Sequence, residues 1–127
     1  METPKAPFKE IVDSPEFQKD LKKFLKKYHS LTEDLENFKN VALKALHKLG
    51  QENLGIVQIP GLGFAYPPVY KATKFACKSL KGKGAASGIR VIYAYIHKDD
   101  KVLFIEIYFK GNQENEDRER IKQVLNC

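Results

Sequence analysis

The segment Ser87-Gly-Ile-Arg-Val-Ile-Tyr-Ala-Tyr95 decides the fold of this 127-residue chain. Residues 89–96 alternate as in a β-strand, and both of the faces that they form are largely apolar. A strand that is apolar on both faces lies inside a sheet, with a neighbour on each side. We therefore predict a central strand over residues 89–97, with Arg90 near its start, where the side chain reaches solvent at the rim.

Two further strands are predicted beside the central one. The preceding strand covers residues 69–79, and the glycine-rich loop 80–88 connects it to the central strand. The following strand covers residues 102–109 and is joined by the turn Lys98-Asp-Asp-Lys101. Short connections of this kind indicate an antiparallel sheet.

The first fifty residues predict a short strand and two helices. Residues 8–12 are strand-like, and Ser14-Pro15 then provides an N-cap with proline at the first helical position of a helix that ends near His29. A capping box over residues 30–33 begins a second helix, which Gly50 ends. Because almost no residues separate the two helices, we expect an antiparallel helical hairpin.

The remaining segments complete a single domain over residues 1–127. Residues 51–68 contain three glycines, three prolines and several apolar side chains, which predicts a loop insertion packed on the body of the protein. A last helix is predicted over residues 114–125, with acidic residues in its first turn. The predicted class is α+β: a short N-terminal strand, a helical hairpin, an antiparallel sheet and a C-terminal helix.

Composition excludes several classes of protein. Hydrophobic residues make up 43% of the chain and charged residues 30%, which is typical of a globular protein. The longest uncharged apolar run, residues 91–96, is far shorter than the ~20 residues that span a bilayer. The N-terminal residues contain no apolar segment typical of a signal peptide. Cys77 and Cys127 form neither a metal-binding spacing nor a disulfide framework, so we expect a reducing cytoplasm.

The formal net charge of +6 is concentrated in one part of the chain. Residues 69–98 contain seven basic residues and no acidic one: Lys71, Lys74, Lys78, Lys81, Lys83, Arg90 and Lys98. Such an excess attracts polyanions, although lysines also protect exposed sheet edges from aggregation. Tyrosines interleave with these cations, and a tyrosine ring can stack on an unpaired base of RNA.

Motifs for metal, nucleotide or small-molecule cofactors are absent from the sequence. The run Gly82-Lys-Gly84-Ala-Ala-Ser87-Gly88 lacks the ending of a P-loop and leads into a strand, whereas a phosphate-binding loop opens a helix. His29, His47 and His97 have no ligand spacing. We expect no metal and no cofactor.

At these motifs the sequence resembles the RelE/ParE toxin superfamily. Residues 87–95 are similar to the family's strand with the pattern Gly-x-Arg, two apolar residues and Tyr. A basic strand, 71–78, precedes it and an apolar strand, 102–110, follows it, as in the family. The opening Ser14-Pro-Glu-Phe-Gln-Lys-Asp-Leu21 is similar to the family's first helix. The resemblance covers most of the chain and leaves residues 51–68 as an insertion.

The resemblance implies a toxin of a type II toxin–antitoxin system that inhibits translation by cutting mRNA in the ribosome. In such a reaction the ribose 2′-OH attacks the adjacent phosphate, without a metal ion. The residues implied for catalysis are Arg90, Lys74, Lys78 and Lys110, and those implied for RNA binding are Lys71, Lys81, Lys83 and Tyr108. Arg90 would hold the scissile phosphate through its bidentate guanidinium. The implied partners are an antitoxin protein, mRNA and the ribosome.

Two other functions remain open at this stage. The first is a non-catalytic poison of DNA gyrase, of the ParE type, and the second is a toxin-like protein that only binds an antitoxin. The polar and acidic segment 112–117 offers no tyrosine near the C-terminus to stack on a base, unlike some members of the family. Since one fold carries several activities, the resemblance alone does not choose between them.

Overall fold

The computed structural model describes residues 7–80, 82 and 86–126. Within these residues the chain forms a five-stranded sheet with helices on both faces, and the predicted α+β class is confirmed. The strands are β1 (Glu10–Asp13), β2 (Ile56–Gln58), β3 (Val69–Ala72), β4 (Ile89–Ile96) and β5 (Lys101–Phe109). The α-helices are α1 (Pro15–Leu25), α2 (Leu31–Phe38), α3 (Lys44–His47) and α4 (Arg118–Leu125).

The central position predicted for β4 is confirmed. The strand order is β1-β5-β4-β3-β2, so β4 has a neighbour on each side. β3, β4 and β5 pair antiparallel, as expected; β2 also pairs antiparallel to β3, whereas β1 pairs parallel to β5 and makes the sheet mixed. The turn between β4 and β5 contains a short 3₁₀ helix, His97–Asp99, and ends at Asp100 with φ of 49°.

The helical hairpin begins as predicted and differs in its connection. The Ser14 hydroxyl accepts a hydrogen bond of 3.1 Å from the Phe17 amide, which is the predicted N-cap. α1 ends at Leu25 rather than near His29, where the chain tightens into a turn in which the Lys27 amide donates to the Phe24 carbonyl three residues before it. Five residues therefore connect the helices, and buried Tyr28 packs within this connection.

The capping box predicted at residue 30 does not form. The Ser30 hydroxyl donates to Asp34 at 2.6 Å and accepts from the Ser79 amide at 2.8 Å, so it makes no capping bond. α2 continues through a π-helical segment, Lys39–Leu43, into α3.

The strand predicted over residues 69–79 is shorter, since pairing stops at Ala72. Beyond it, burial continues to alternate: Phe75 and Cys77 are buried, whereas Lys74, Ala76 and Lys78 are exposed. The predicted loop 51–68 contains β2, an edge strand that pairs with β3. Ile59 and Leu62 of this segment are buried, so the expectation that it packs on the body is confirmed.

Two apolar clusters cover the two faces of the sheet. The larger cluster joins the helical hairpin to one face and includes Tyr93 and Phe104. The smaller cluster joins the other face to α4 and includes Ile92 and Ile121. No helix in the described residues is long and apolar enough to cross a membrane.

A β-bulge in β5 changes which side chains face α4. Tyr93 pairs with Phe104, but its neighbour Ile92 pairs with Glu106, so Ile105 is an extra residue in β5. Ile105 belongs to the cluster on the α4 face, and Glu106 bonds to residues of the segment that leads into α4. The bulge thus places a carboxylate inside the α4 side of the sheet.

The C-terminal helix begins later than predicted, at Arg118 instead of residue 114. Its N-cap is Asp117, whose side chain accepts from the Arg120 amide at 3.1 Å. Arg120 also forms an ion pair with Asp20 of α1, so α4 is fastened to the hairpin as well as to the sheet.

Candidate functional site

The candidate site lies on the α4 face of the sheet, where Arg90 and Tyr108 are opposite each other in β4 and β5. The Arg90 guanidinium is partly exposed, and its Nη1 donates to the Thr73 carbonyl at 2.9 Å. Thr73 is the first residue after β3, so its carbonyl is not paired within the sheet. The position at which β3 ends therefore determines where the guanidinium is held. A guanidinium has further N–H groups that can bind an anion.

Tyr108 is a buried phenol with a shifted pKa. Burial, followed by the negative charges of Glu116 and Glu106, raises the pKa of Tyr108 to about 12, while Arg90 acts in the opposite direction. The hydroxyl therefore keeps its proton at neutral pH and is a hydrogen-bond donor rather than a base. Only 4% of the residue is exposed, so the ring offers no open face for the base stacking that the sequence predicted.

Lys71 lies on the same side of the sheet and forms an ion pair. Its Nζ is 2.8 Å from Oε1 of Glu116, whose side chain is only 5% exposed. The other oxygen, Oε2, is 3.4 Å from Nε of Arg118. Burial acts to raise the pKa of Glu116, but the hydrogen bond and the charge of Lys71, with the charge of Arg118, lower it overall.

A second carboxylate, Glu106, holds the segment that carries Glu116. Its oxygens accept from Nε2 of Gln113 and from the amide of Asp117, each at 2.8 Å. Burial raises the pKa of Glu106, and the bonds from Asp117 and Gln113 act against that increase. No sequence pattern singles out Glu106, Glu116 or Arg118, because their positions depend on the bulge and on the path of residues 112–117.

Lys110 follows β5 directly and is exposed. The alternation of the strand places it on the side of Tyr108, and its amide donates to the Gly88 carbonyl at 2.8 Å. Gly88 has φ of +82°, and a Cβ there would lie 2.8 Å from the Phe109 ring. Glycine is thus required for the close approach that brings the start of β4 beside Lys110.

Lys74 and Lys78, both predicted to act with Arg90, line a groove beside α2 instead of the α4 face. The groove has a volume of about 270 Å³ and an apolar wall formed in part by Phe38 and Val41. Lys78 forms an ion pair with Glu33 at the protein surface. The prediction that 74 and 78 share a strand is wrong, because β3 ends at Ala72, although both side chains are exposed on the same groove.

The positive charge of residues 69–98 is partly neutralised in the fold. Lys71 and Lys78 pair with glutamates that lie outside residues 69–98, so a count along the sequence overstates the free positive charge. Lys81 and Lys83, predicted to bind RNA, lie outside the described residues. The candidate site on the α4 face therefore comprises Arg90, Lys71, Tyr108 and Lys110. Glu116, which pairs with Lys71, and Arg118, which pairs with Glu116, also belong to it.

His47 lies on the opposite face of the sheet, among aromatic rings. Its Nε2 shares a hydrogen bond of 2.8 Å with the Tyr93 hydroxyl, and its ring centroid is 4.9 Å from that of Tyr70. Burial, and then the charges of His97 and Lys48, lower the pKa of His47 to about 4. Among the described residues, no cluster of three or more His, Cys, Asp or Glu side chains could hold a metal ion.

Comparisons with known proteins give one similar structure. No family model matches the chain, and no curated protein matches it. Among solved structures, the chain is similar to one in the archaeal RelE–RelB complex from Pyrococcus horikoshii OT3. That match has 16% sequence identity and a TM-score of 0.47, and it covers 80% of this chain and 94% of the other. A functional proposal for this protein therefore depends on its own residues.

Proposed function

We propose that this protein is the toxin of a type II toxin–antitoxin system and cuts mRNA on the ribosome. The observation that carries the proposal is the pairing of Arg90 with Tyr108 on one sheet face, with Lys110 following on the same side. The arginine lies in the segment that resembles the RelE/ParE toxins. The fold provides the order of elements in which that motif forms a central strand.

The proposed reaction is transfer of the phosphoryl group to the neighbouring ribose oxygen. The 2′-oxygen forms a bond to phosphorus as the bond to the 5′-oxygen breaks; the 2′-OH loses its proton and the leaving 5′-oxygen gains one. The products are a 2′,3′-cyclic phosphate and a 5′-OH. Negative charge on the phosphoryl oxygens increases in the transition state, and preorganised donors stabilise it.

Arg90 is the residue to which we assign the scissile phosphate. The Thr73 carbonyl accepts from one of its N–H groups and thereby orients the guanidinium, which is already held before RNA binds. Tyr108, buried and protonated, lies opposite Arg90 in the sheet as a neutral group, and Lys110 supplies a cation at the exposed end of the strand. Lys74 and Lys78 are assigned RNA contacts in the groove beside α2 rather than a step in cleavage.

RNA binding provides a test of the proposed site that does not require the ribosome. With about four phosphate contacts to single-stranded RNA, affinity should fall ~50-fold between ~50 and ~200 mM salt. Arg90→Ala should weaken binding and make the dependence on salt less steep, because one phosphate contact is lost. Lys98→Ala removes the same charge at the far, exposed end of β4 and is the matched control.

The outcomes separate the proposal from its alternatives. Equal RNA binding by the wild type and Arg90→Ala would show that the guanidinium does not contact RNA. Growth inhibition with gyrase-dependent DNA damage and intact mRNA would indicate the ParE-type activity instead. The proposed antitoxin should suppress growth inhibition when it is expressed together with the protein.

A further inference from the structure

Two cations on the α4 face, Lys71 and Arg118, pair with the same carboxylate. The carboxylate of Glu116 lies between two cations, 2.8 Å from Lys71 and 3.4 Å from Arg118. Its side chain is 5% exposed, whereas those of Lys71 and Arg118 are 22% and 44% exposed. An anion has thus been removed from water and placed where two donors converge, which is the arrangement that also binds a phosphate.

Lys71 and Arg118 each have an anchor that does not involve Glu116: the backbone of Lys71 and Nη1 of Arg118. Lys71 belongs to β3, where it pairs with Ile92 of β4. Nη1 of Arg118 donates to the carbonyls of Pro60 and Gly61 at 3.0 and 3.3 Å. Removal of the Glu116 carboxylate would therefore leave the backbone anchors of both cations intact.

The site adjoins both open space and the proposed position of the scissile phosphate. A cavity of about 280 Å³ is bounded by Lys71, Glu116, Arg118 and the edge strand β2. This volume lies just below the usual range of about 300–1,000 Å³ for ligand pockets, which suits a small group such as a phosphate. Arg90 lies on the neighbouring strand and on the same face, and the charges of both Arg90 and Glu116 act on Tyr108.

We propose that Lys71 and Arg118 form a second phosphate subsite beside Arg90, and that Glu116 fills it in the free protein. RNA would have to displace the Glu116 carboxylate before a backbone phosphate could contact these two cations. Glu116 thereby lowers the affinity for RNA and excludes anions that cannot compete with an internal carboxylate. The inference rests on the proposed function, because it concerns the same RNA-binding face.

The segment around Glu116 allows this displacement without unfolding of α4. Residues on either side of it are fastened to Glu106 through the Gln113 side chain and the Asp117 amide. Asp117 in turn caps α4. The Glu116 side chain can therefore leave the subsite by rotation, while the segment and the helix keep their contacts.

The test uses a short single-stranded RNA and the full-length protein at ~50 mM salt. Glu116→Gln should bind RNA about five- to tenfold more tightly than the wild type, because it removes the competing charge of a partly buried ion pair. Glu119→Gln, on the exposed side of α4, makes the same change in net charge and should have an effect of about twofold or less. In a Lys71→Gln background, Glu116→Gln should produce little gain.

Failure of this inference can be distinguished from failure of the proposed function. If Glu116→Gln binds RNA no better than Glu119→Gln, Glu116 does not compete for a phosphate subsite. The same conclusion follows if neither variant binds RNA. If that result accompanies weaker binding by Arg90→Ala, the RNA site stands and only the inference is overturned. A gain in Glu116→Gln that persists unchanged in the Lys71→Gln background would also contradict it, since the gain would then not involve the subsite.

Discussion

His47→Gln should remove most of the acid sensitivity of this fold between pH 7 and pH 5. The imidazole is surrounded by Phe8, Tyr70, Tyr93 and Tyr95, and burial lowers its pKa from 6.5 to about 4. In the unfolded chain the ring regains its ordinary pKa and binds a proton in this pH range. The contribution of neutral His47 to the free energy of unfolding is therefore fully present above pH 6.5 and is lost as the pH falls towards 4.

The magnitude follows from the two pKa values. The full difference between 6.5 and about 4, at ~1.4 kcal/mol per pH unit, corresponds to ~3 kcal/mol. Between pH 7 and pH 5 the expected loss is ~2 kcal/mol of the free energy of unfolding. Glutamine cannot titrate but can still share a hydrogen bond with the Tyr93 hydroxyl. The variant therefore removes the protonation of residue 47 and keeps its hydrogen bond.

The assay is urea denaturation of the wild type and His47→Gln at intervals of half a pH unit. The difference in unfolding free energy between the two proteins should shrink by ~2 kcal/mol as the pH falls from 7 to 5. Groups such as Glu106 titrate in both proteins and cancel in this difference. His29→Gln, at an exposed histidine outside the set of charges that act on His47, is the control and should keep the slope of the wild type. A difference that stays constant with pH would show that His47 protonates freely in the folded protein.

Three further predictions concern stability and use thermal denaturation. Ser14→Ala should cost about 1 kcal/mol, because the amide of the third residue of α1 loses its cap; an unchanged midpoint would contradict this role. Gly88→Ala should cost more than 1 kcal/mol, because φ is +82° and the new Cβ would meet the Phe109 ring; a stabilised protein would refute the close approach. Asp20→Asn should cost about 1 kcal/mol by weakening the ion pair with Arg120, and an equal loss in an Arg120→Gln background would rule that pair out as the cause.

The local patterns that predict the fold are those in which neighbouring residues decide the structure. Ser14 and Pro15 are sufficient to start α1, and the alternating apolar residues of β4 are sufficient to place it inside the sheet. Residues 30–33 have the local sequence of a capping box, but the Ser30 hydroxyl instead accepts a hydrogen bond from the amide of Ser79, far along the chain. A contact at that separation cannot be recognised from the pattern of adjacent residues.

The candidate site was only partly predictable for the same reason. Arg90 could be identified from the motif that contains it, and its partial exposure agrees with the expected position at the rim. Burial continues to alternate through Lys78 after β3 ends at Ala72, so the sequence pattern of a strand continues beyond the residues that pair in the sheet. The bulge in β5 depends on how β4 and β5 pair. It places Glu106 where its carboxylate bonds to residues of the segment 113–117.

The central claim is that Arg90 binds the phosphate at which mRNA is cut, and translation-dependent cleavage tests it most directly. Purified protein is added to ribosomes translating a defined mRNA, and the 5′ ends of the fragments are mapped. We expect the wild type and Lys98→Ala to cut at similar rates, and Arg90→Ala to cut ~10²–10³-fold more slowly while remaining folded. Arg90→Lys should restore little of the rate, because a point charge cannot make the two-pronged contact. Cleavage by a folded Arg90→Ala protein at the rate of the wild type, or no cleavage by the wild type, would contradict the claim.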